Sequence, residues 1–253
     1  RKIKHILDVG GNDGYIIKSI SNPLVKKYII DPVSKKKISG IKIINKLIND
    51  VNINKDMKPS DVIICRHTLE HLVDPINFLQ KLLNHSHQNC DFIFEVPSIE
   101  KMMSQLRFDT INHQHLSYFS VETLKILINK SGGVLKNYQI YHKGPCGGSI
   151  LFHFKKKIKY QPYKNIKISK NIFIKKKKFF QKQFLKFTKK LKNLKNLINK
   201  SDSKIFGYGA SLTLSTYLYF LTIKHNKIKV IIDDDERKIK HILDVGGNDG
   251  YII

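Results

Sequence analysis

At 253 residues, with 41% hydrophobic and 10% aromatic content, the chain is long and apolar enough to bury a sizeable core, which excludes a disordered protein. No apolar run approaches the roughly 20 residues that span a bilayer, and the strand pattern that opens the sequence gives the expectation of a chain without a signal peptide. A formal net charge of +26 ordinarily points to nucleic acid or an anionic surface, but here the excess is almost all lysine. Arginine, the better phosphate fork, occurs only at Arg1, Arg66, Arg107 and Arg237. Heavy use of Asn and Ile beside Lys marks a compositional drift, so nucleic acid is not the expected partner. Cys65, Cys90 and Cys146 are widely spaced and odd in number; they make neither a disulfide framework nor a zinc site and fit the reducing cytoplasm.

The first stretch, Ile6 to Gly14 (ILDVGGNDG), reads as a strand ending in Asp8, a glycine-dense turn, and then a helix from Tyr15 to about Ile20. Glycines in such a turn take positive φ and let the backbone approach a ligand, and the helix start offers free N–H groups. The spacing is not the dinucleotide fingerprint Gly-x-Gly-x-x-Gly. Lys27 to Pro32 is a second strand ending in Asp31, whose carboxylate is placed to accept ribose hydroxyls. Ile41 to Ile48 and Asp61 to Cys65 are the third and fourth strands, the latter opening into Arg66-His67-Thr68-Leu69-Glu70-His71. Asp74-Pro75 starts a helix through Leu83, Asp91 to Pro97 is the fifth strand, and Val121 to Ile128 is a helix closed by Ser131-Gly132-Gly133. Val134 to Tyr141 and Ser149 to Phe154 follow with no helix between them, hence as an antiparallel pair. The pattern predicts an α/β, Rossmann-like seven-stranded sheet, with Asp8, Asp31 and Arg66 sharing one crevice at the carboxyl ends of the strands.

Three parts are expected: residues 1–156 as the ligand-binding sheet domain, 157–200 as a lysine-rich amphipathic helical arm, and 201–253 as a small, incomplete βαβ unit. Phe180, Phe184, Phe187, Leu191, Leu194 and Ile198 recur at three- and four-residue steps along the arm, the mark of a packed helix with a solvated lysine face; an interfacial membrane helix is the alternative. Arg237 to Ile253 repeats Arg1 to Ile17 letter for letter. With nothing after it, the second copy is expected to add at most a strand (Ile239 to Val245) and no second cofactor site.

Read in order, DVGGNDGYII, IDPV, CRHTLEHLVDPINFL, FEVPSIE, FDTINHQHLSYFS, GPCGGSILF, FGYGAS and VIIDDDERK resemble the nucleotide-sugar C-methyltransferase family of deoxysugar and surface-polysaccharide pathways. The first motif, with an acid just before the glycines, is similar to that of class I S-adenosyl-L-methionine (SAM) methyltransferases. The resemblance implies the seven-stranded methyltransferase sheet, SAM as cofactor and a nucleotide-linked sugar as substrate. Family members carry an N-terminal zinc-binding module that this sequence does not show, so a truncated or module-less member is expected.

By this resemblance Asp8, Gly10, Gly11, Asn12, Asp13 and Gly14 contact SAM, Asp31 holds its ribose, and Cys65, Arg66 and His67 lie near its adenosyl or methionine part. His115 is the implied general base, a task suited to an imidazole with an ordinary pKa near 6.5. Asn112, Gln114 and Tyr118 are its catalytic neighbours, and His113, Gly147, Gly148, Ser149 and Tyr208 are the implied substrate contacts. Ser211-Leu212-Thr213 departs from the family after the second glycine turn. So do Gln114 and Asn112, which stand where the best-known C-methyltransferases have Glu and Tyr. Alternatives follow: sugar or small-molecule O-methylation through the same histidine, a basic nucleic-acid-binding protein, an inactive fragment, or a metal pair of His113 and His115 with Asp109, against the reading of no metal. The oligomeric state is left open.

Overall fold

The computed structural model describes residues 2–34, 37–52, 56–157, 169–209, 211–222, 228–234, 242–243 and 251–252. The chain falls into two compact units, one of Arg1–Lys101 with Gln114–Ile168 and the other of Met102–His113 with Ser169–Ile253.

The first unit is built on seven strands: β1 (His5–Val9), β2 (Lys26–Ile30), β3 (Ile41–Ile44), β4 (Val62–Arg66), β5 (Asp91–Pro97), β6 (Gly133–Tyr141) and β7 (Ser149–Lys156). They lie in the order β3-β2-β1-β4-β5-β7-β6. The first five are parallel, and β7 runs antiparallel between β5 and β6. The expected α/β, Rossmann-like seven-stranded sheet is therefore the one observed. Apolar residues on both faces of β1 and β4 explain why these strands sit centrally. Leu7, Val9, Ile63 and Cys65 join one core, whereas Ile6, Val62 and Ile64 join the core on the opposite face.

Helix α1 (Tyr15–Lys18) is a single turn, shorter than its sequence pattern predicts, and buries Ile17. Helix α2 (Pro75–His85) starts where Asp74 accepts the Asn77 N–H at 3.0 Å with Pro75 in the first turn, and it buries Phe78, Leu79, Leu82 and Leu83. Helix α3 (Ile99–Ser104) leads out of the unit. Helix α4 (Val121–Lys130) opens with a reciprocal Ser120–Thr123 capping box and covers the same face as α2. Phe92 and Phe94 of β5 and Phe152 and Phe154 of β7 stand opposite one another on the paired strands and join one core; the Phe92 and Phe154 rings stack at 4.6 Å.

In the second unit, α5 (Lys170–Lys200) carries Phe180, Phe184 and Phe187 around the buried Phe108 ring, at 5.5, 5.4 and 5.2 Å. Phe187 also packs against Tyr217 and Phe220 of α6 (Leu212–Leu221). The helix periodicity thus marks a packed face, as expected, although Phe180 and Leu194 are exposed. Among the described residues no helix is long and apolar enough to cross a membrane. β8 (Ile205–Tyr208) and β9 (Ile228–Ile232) pair in parallel. In the repeated terminus, β10 (Ile242–Leu243) pairs antiparallel with β11 (Tyr251–Ile252). The rest of the strand expected over Ile239 to Val245 lies outside the described residues.

Candidate active site

Parallel strands present their carboxyl ends on one edge of the sheet, and the sequence-predicted cofactor residues of the first unit gather there. Gly10 leaves β1 with φ +73° and donates to the Ile30 carbonyl at 2.9 Å, tying the turn to β2. A Cβ on Gly10 would lie 2.0 Å from Thr68 Oγ1, so this glycine is required by packing against the β4 loop as well as by its φ. Gly11 sits over Asp8, Asn12 takes φ +44°, and Asp13 accepts from the Tyr15 N–H at 3.1 Å. Gly14, also at φ +73°, closes the turn by donating to the Gly11 carbonyl at 2.7 Å. Because α1 is one turn long, no extended helix dipole stands behind the loop.

Asp31 holds the loop from the other side. Its carboxylate accepts from the N–H groups of Asn12 at 2.9 Å, Val33 at 2.7 Å and Ser34 at 3.0 Å. Of the roughly four lone-pair directions of a carboxylate, one is left for a ligand hydroxyl. Asp8 is 4% exposed. Burial pushes its carboxyl up to about 6; the Arg66 charge opposes this and that of Asp31 adds to it. Asp8, Asp31 and Arg66 are thereby brought into one electrostatic neighbourhood. The Cys65 side chain is 1% exposed in the core, and burial pushes its thiol well up.

His67 follows in the left-handed region at φ +47°, a strained position for a non-glycine residue. Its Nδ1 is 3.5 Å from Glu70 Oε1 and its Nε2 3.7 Å from Glu95 Oε1. Glu95 also accepts from Arg66 at 2.5 Å and from the Ser149 hydroxyl at 2.5 Å. Burial raises the Glu95 carboxyl, but Ser149 and Arg66 outweigh it and hold the group below its usual range. Arg66, Glu95 and Ser149 line a cleft of 570 Å³ together with Tyr141 and Lys143. Gly148 beside it has φ +138°, and a Cβ there would lie 2.4 Å from the Tyr141 carbonyl. Gly147 ends the short turn before β7.

His115 is held by the turn that follows β4. The Glu70 carbonyl accepts from Leu116 N–H at 2.9 Å and Ser117 N–H at 3.1 Å, and His71 Nδ1 lies 2.8 Å from the Gln114 carbonyl. The His115 ring then packs against His71 at 5.0 Å and Tyr118 at 6.0 Å. Burial lowers its pKa, Glu70 pushes it up, and His71 and His67 lower it further. At neutral pH the imidazole is therefore neutral and able to accept a proton. Glu70 is 2% exposed and was not picked out from sequence. The available signal was its place in the first turn after a parallel strand; what hid it was its setting between Leu69 and Leu72.

Three predicted residues belong to the second unit. Asn112 donates to the Thr110 carbonyl at 3.2 Å, and His113 is exposed. Tyr208 is 74% exposed with its hydroxyl donating to Asp234. Asp109, the carboxylate of the alternative metal set with His113 and His115, is taken by Arg107 at 3.0 Å. Among the described residues, the metal-competent group that includes His115 consists instead of Glu70 and His71.

A seven-stranded sheet with a glycine turn after β1 and an acid after β2 defines a Rossmann-like α/β scaffold. The chain belongs to the methyltransferase-domain family, whose profile matches residues 1–134, more than half of its length. Residues 147–246 match a second profile, the C-methyltransferase C-terminal domain. Among solved structures, it is similar to a chain of the complex between the Haloferax volcanii Trm112 methyltransferase activator and a methyltransferase. That match has a TM-score of 0.53 and 10% identity, covering 64% of this chain and 86% of the other. An S-adenosylmethionine-dependent methyltransferase from Clostridium acetobutylicum (TM-score 0.49, 13% identity) covers 61% of this chain and 85% of its own. No curated protein sequence matches.

Proposed function

We propose that the chain is a SAM-dependent methyltransferase that methylates a carbon of a nucleotide-linked keto sugar, with His115 as general base. The observation that carries the reading is the anchoring of His115 at the carboxyl end of β4. There its ring faces the buried carboxylate of Glu70 and lies beside the loop that carries Arg66 and His67. The C-methyltransferase C-terminal profile over residues 147–246 supports carbon as the acceptor.

The cradle fits an adenosyl amino acid. Asp31 keeps a lone pair for a ribose hydroxyl, and Asp8, raised by burial, is a partner for an ammonium group. SAM, when bound, supplies an electrophilic methyl on a sulfonium. His115 accepts the proton from the carbon beside the substrate keto group, and that C–H electron pair becomes the enolate that forms the new C–CH3 bond. Glu70 supplies the carboxylate that Gln114 does not, favouring the imidazolium that forms. Tyr118 on the same segment is assigned to the enolate oxygen. Arg66 and Lys143 at the 570 Å³ cleft are cations suited to a diphosphate.

The test begins with calorimetry of SAM binding to the wild type and Asp31→Ala. Micromolar binding lost in the variant supports the cradle; absence of binding to the folded wild type overturns the reading. Turnover on keto nucleotide sugars that vanishes in His115→Ala while SAM affinity is kept supports the base. A product carrying O–CH3 instead of C–CH3 moves the assignment to O-methylation.

A further inference from the structure

We infer that Glu70, His71 and His115 form a binding site for a divalent first-row metal ion of the zinc and cobalt type. Each offers a ligand atom, and these atoms all lie within 4.8 Å of one another. Two imidazoles and one carboxylate are a donor set that such ions take, with further positions left for water or a substrate oxygen.

Two observations beyond proximity point to a cation. Glu70 is 2% exposed, and its Oε2 has no hydrogen-bond partner among the described residues, while Oε1 lies 3.5 Å from His67 Nδ1. A buried carboxylate oxygen without a donor is costly, and a metal ion bound by the Glu70 carboxylate offsets that cost. His71 supplies the second observation. Its Nδ1 sits 2.8 Å from the Gln114 carbonyl oxygen, which can only accept, so Nδ1 carries the proton and Nε2 keeps the lone pair. An imidazole fixed to a backbone carbonyl through one nitrogen is the outer-sphere arrangement that orients metal-binding histidines.

The site is also pre-organised. Glu70 and His71 share one turn, and the Leu116 and Ser117 N–H groups that donate to the Glu70 carbonyl lock the His115 segment onto it. His71 is exposed, which gives an ion a way in. A second group of similar spacing, His5 with Asp61 and His87, makes a weaker case. There the Asp61 carboxylate already accepts from the Lys4 and His5 N–H groups at 2.7 and 3.0 Å.

The inference does not depend on the substrate assigned above. A bound ion holds the imidazole lone pair that proton removal needs, so ion and proton compete for His115, and the metal-free form is the one that acts as base. The test uses the full chain stripped with chelator, titrated with Zn²⁺ by calorimetry and with Co²⁺ by visible absorption. One equivalent is expected to bind with a d–d spectrum of low coordination number. Affinity is expected to fall at least about tenfold in both Glu70→Gln and His71→Ala and to be unchanged in His87→Ala. Because Glu70 is buried and its replacement can unfold the chain, the exposed His71→Ala carries the test on its own. Metal affinity that is unaltered in His71→Ala, lost in His87→Ala, or absent in the wild type overturns the site. SAM binding in the same samples is read separately, so a failed metal site leaves the methyltransferase reading standing.

Discussion

Asp8 ends β1 with its carboxyl pushed up to about 6 by burial, against an ordinary carboxylate pKa near 4 in the unfolded chain. The folded state therefore binds this proton more tightly, and its contribution to stability is greatest below about pH 4. Stability is lost as pH rises towards 6, by on the order of 3 kcal/mol for a group so fully buried. Urea unfolding of Asp8→Asn is expected to lack this component of the pH 4–6 slope; a slope equal to wild type would contradict the assignment. Gly10 gives a second residue-scale prediction. Gly10→Ala meets Thr68 Oγ1 and forces a Cβ onto φ +73°, so a loss of about 1–3 kcal/mol and of SAM binding is expected. The double variant with Thr68→Ala removes the clash but not the φ strain and should recover only part of the loss. The acids and glycines of this site were legible in sequence because each marks the end of a strand or a turn. Glu70 was not, since which way a carboxylate in an apolar turn points depends on the segment that later folds across it.

Elements were readable where their signals are local. The Ser131-Gly132-Gly133 stop and the Asp74-Pro75 start marked α4 and α2, and because the structure adds a Ser120–Thr123 capping box, Ser120→Ala is expected to cost about 1 kcal/mol in chemical denaturation. The stripe on α5 was equally local, but its partner was not. Phe108 comes from a short turn far earlier in the chain and is enclosed by three phenylalanines of α5. Phe108→Ala is expected to destabilise the second unit by about 3–5 kcal/mol, read as an earlier thermal transition. Helix α1 shows the opposite case, an apolar period that continues past the single turn the structure forms.

For the whole molecule the +26 charge is the property with the broadest consequence. If it reflects lysine drift, RNA affinity is expected to be weak and to vanish by physiological salt, with nothing left that prefers a sequence. Tight binding that survives 200 mM salt would instead favour the nucleic-acid reading. The terminal repeat supplies the last test: removing residues 237–253 is expected to leave SAM affinity unchanged, since the cradle is built from the first copy.

That repeat also separates what the sequence determined from what only tertiary structure decided. Composition, strand-end acids, the glycine turn and the helix caps are local properties, and they determined the order of elements and the strand ends at which the acids and the glycine turn stand. Pairing is not local. In the first copy Ile6 and Leu7 run parallel between β2 and β4, and Tyr15 and Ile16 begin α1. In the second copy the same letters, Ile242 and Leu243, pair antiparallel with Tyr251 and Ile252. A strand is completed by the backbone groups beside it, so identical residues take different structures when different neighbours satisfy their N–H and C=O groups. The same holds for the site: the sequence motif singled out His115, and only the turn after β4 gave it Glu70 and His71 as neighbours.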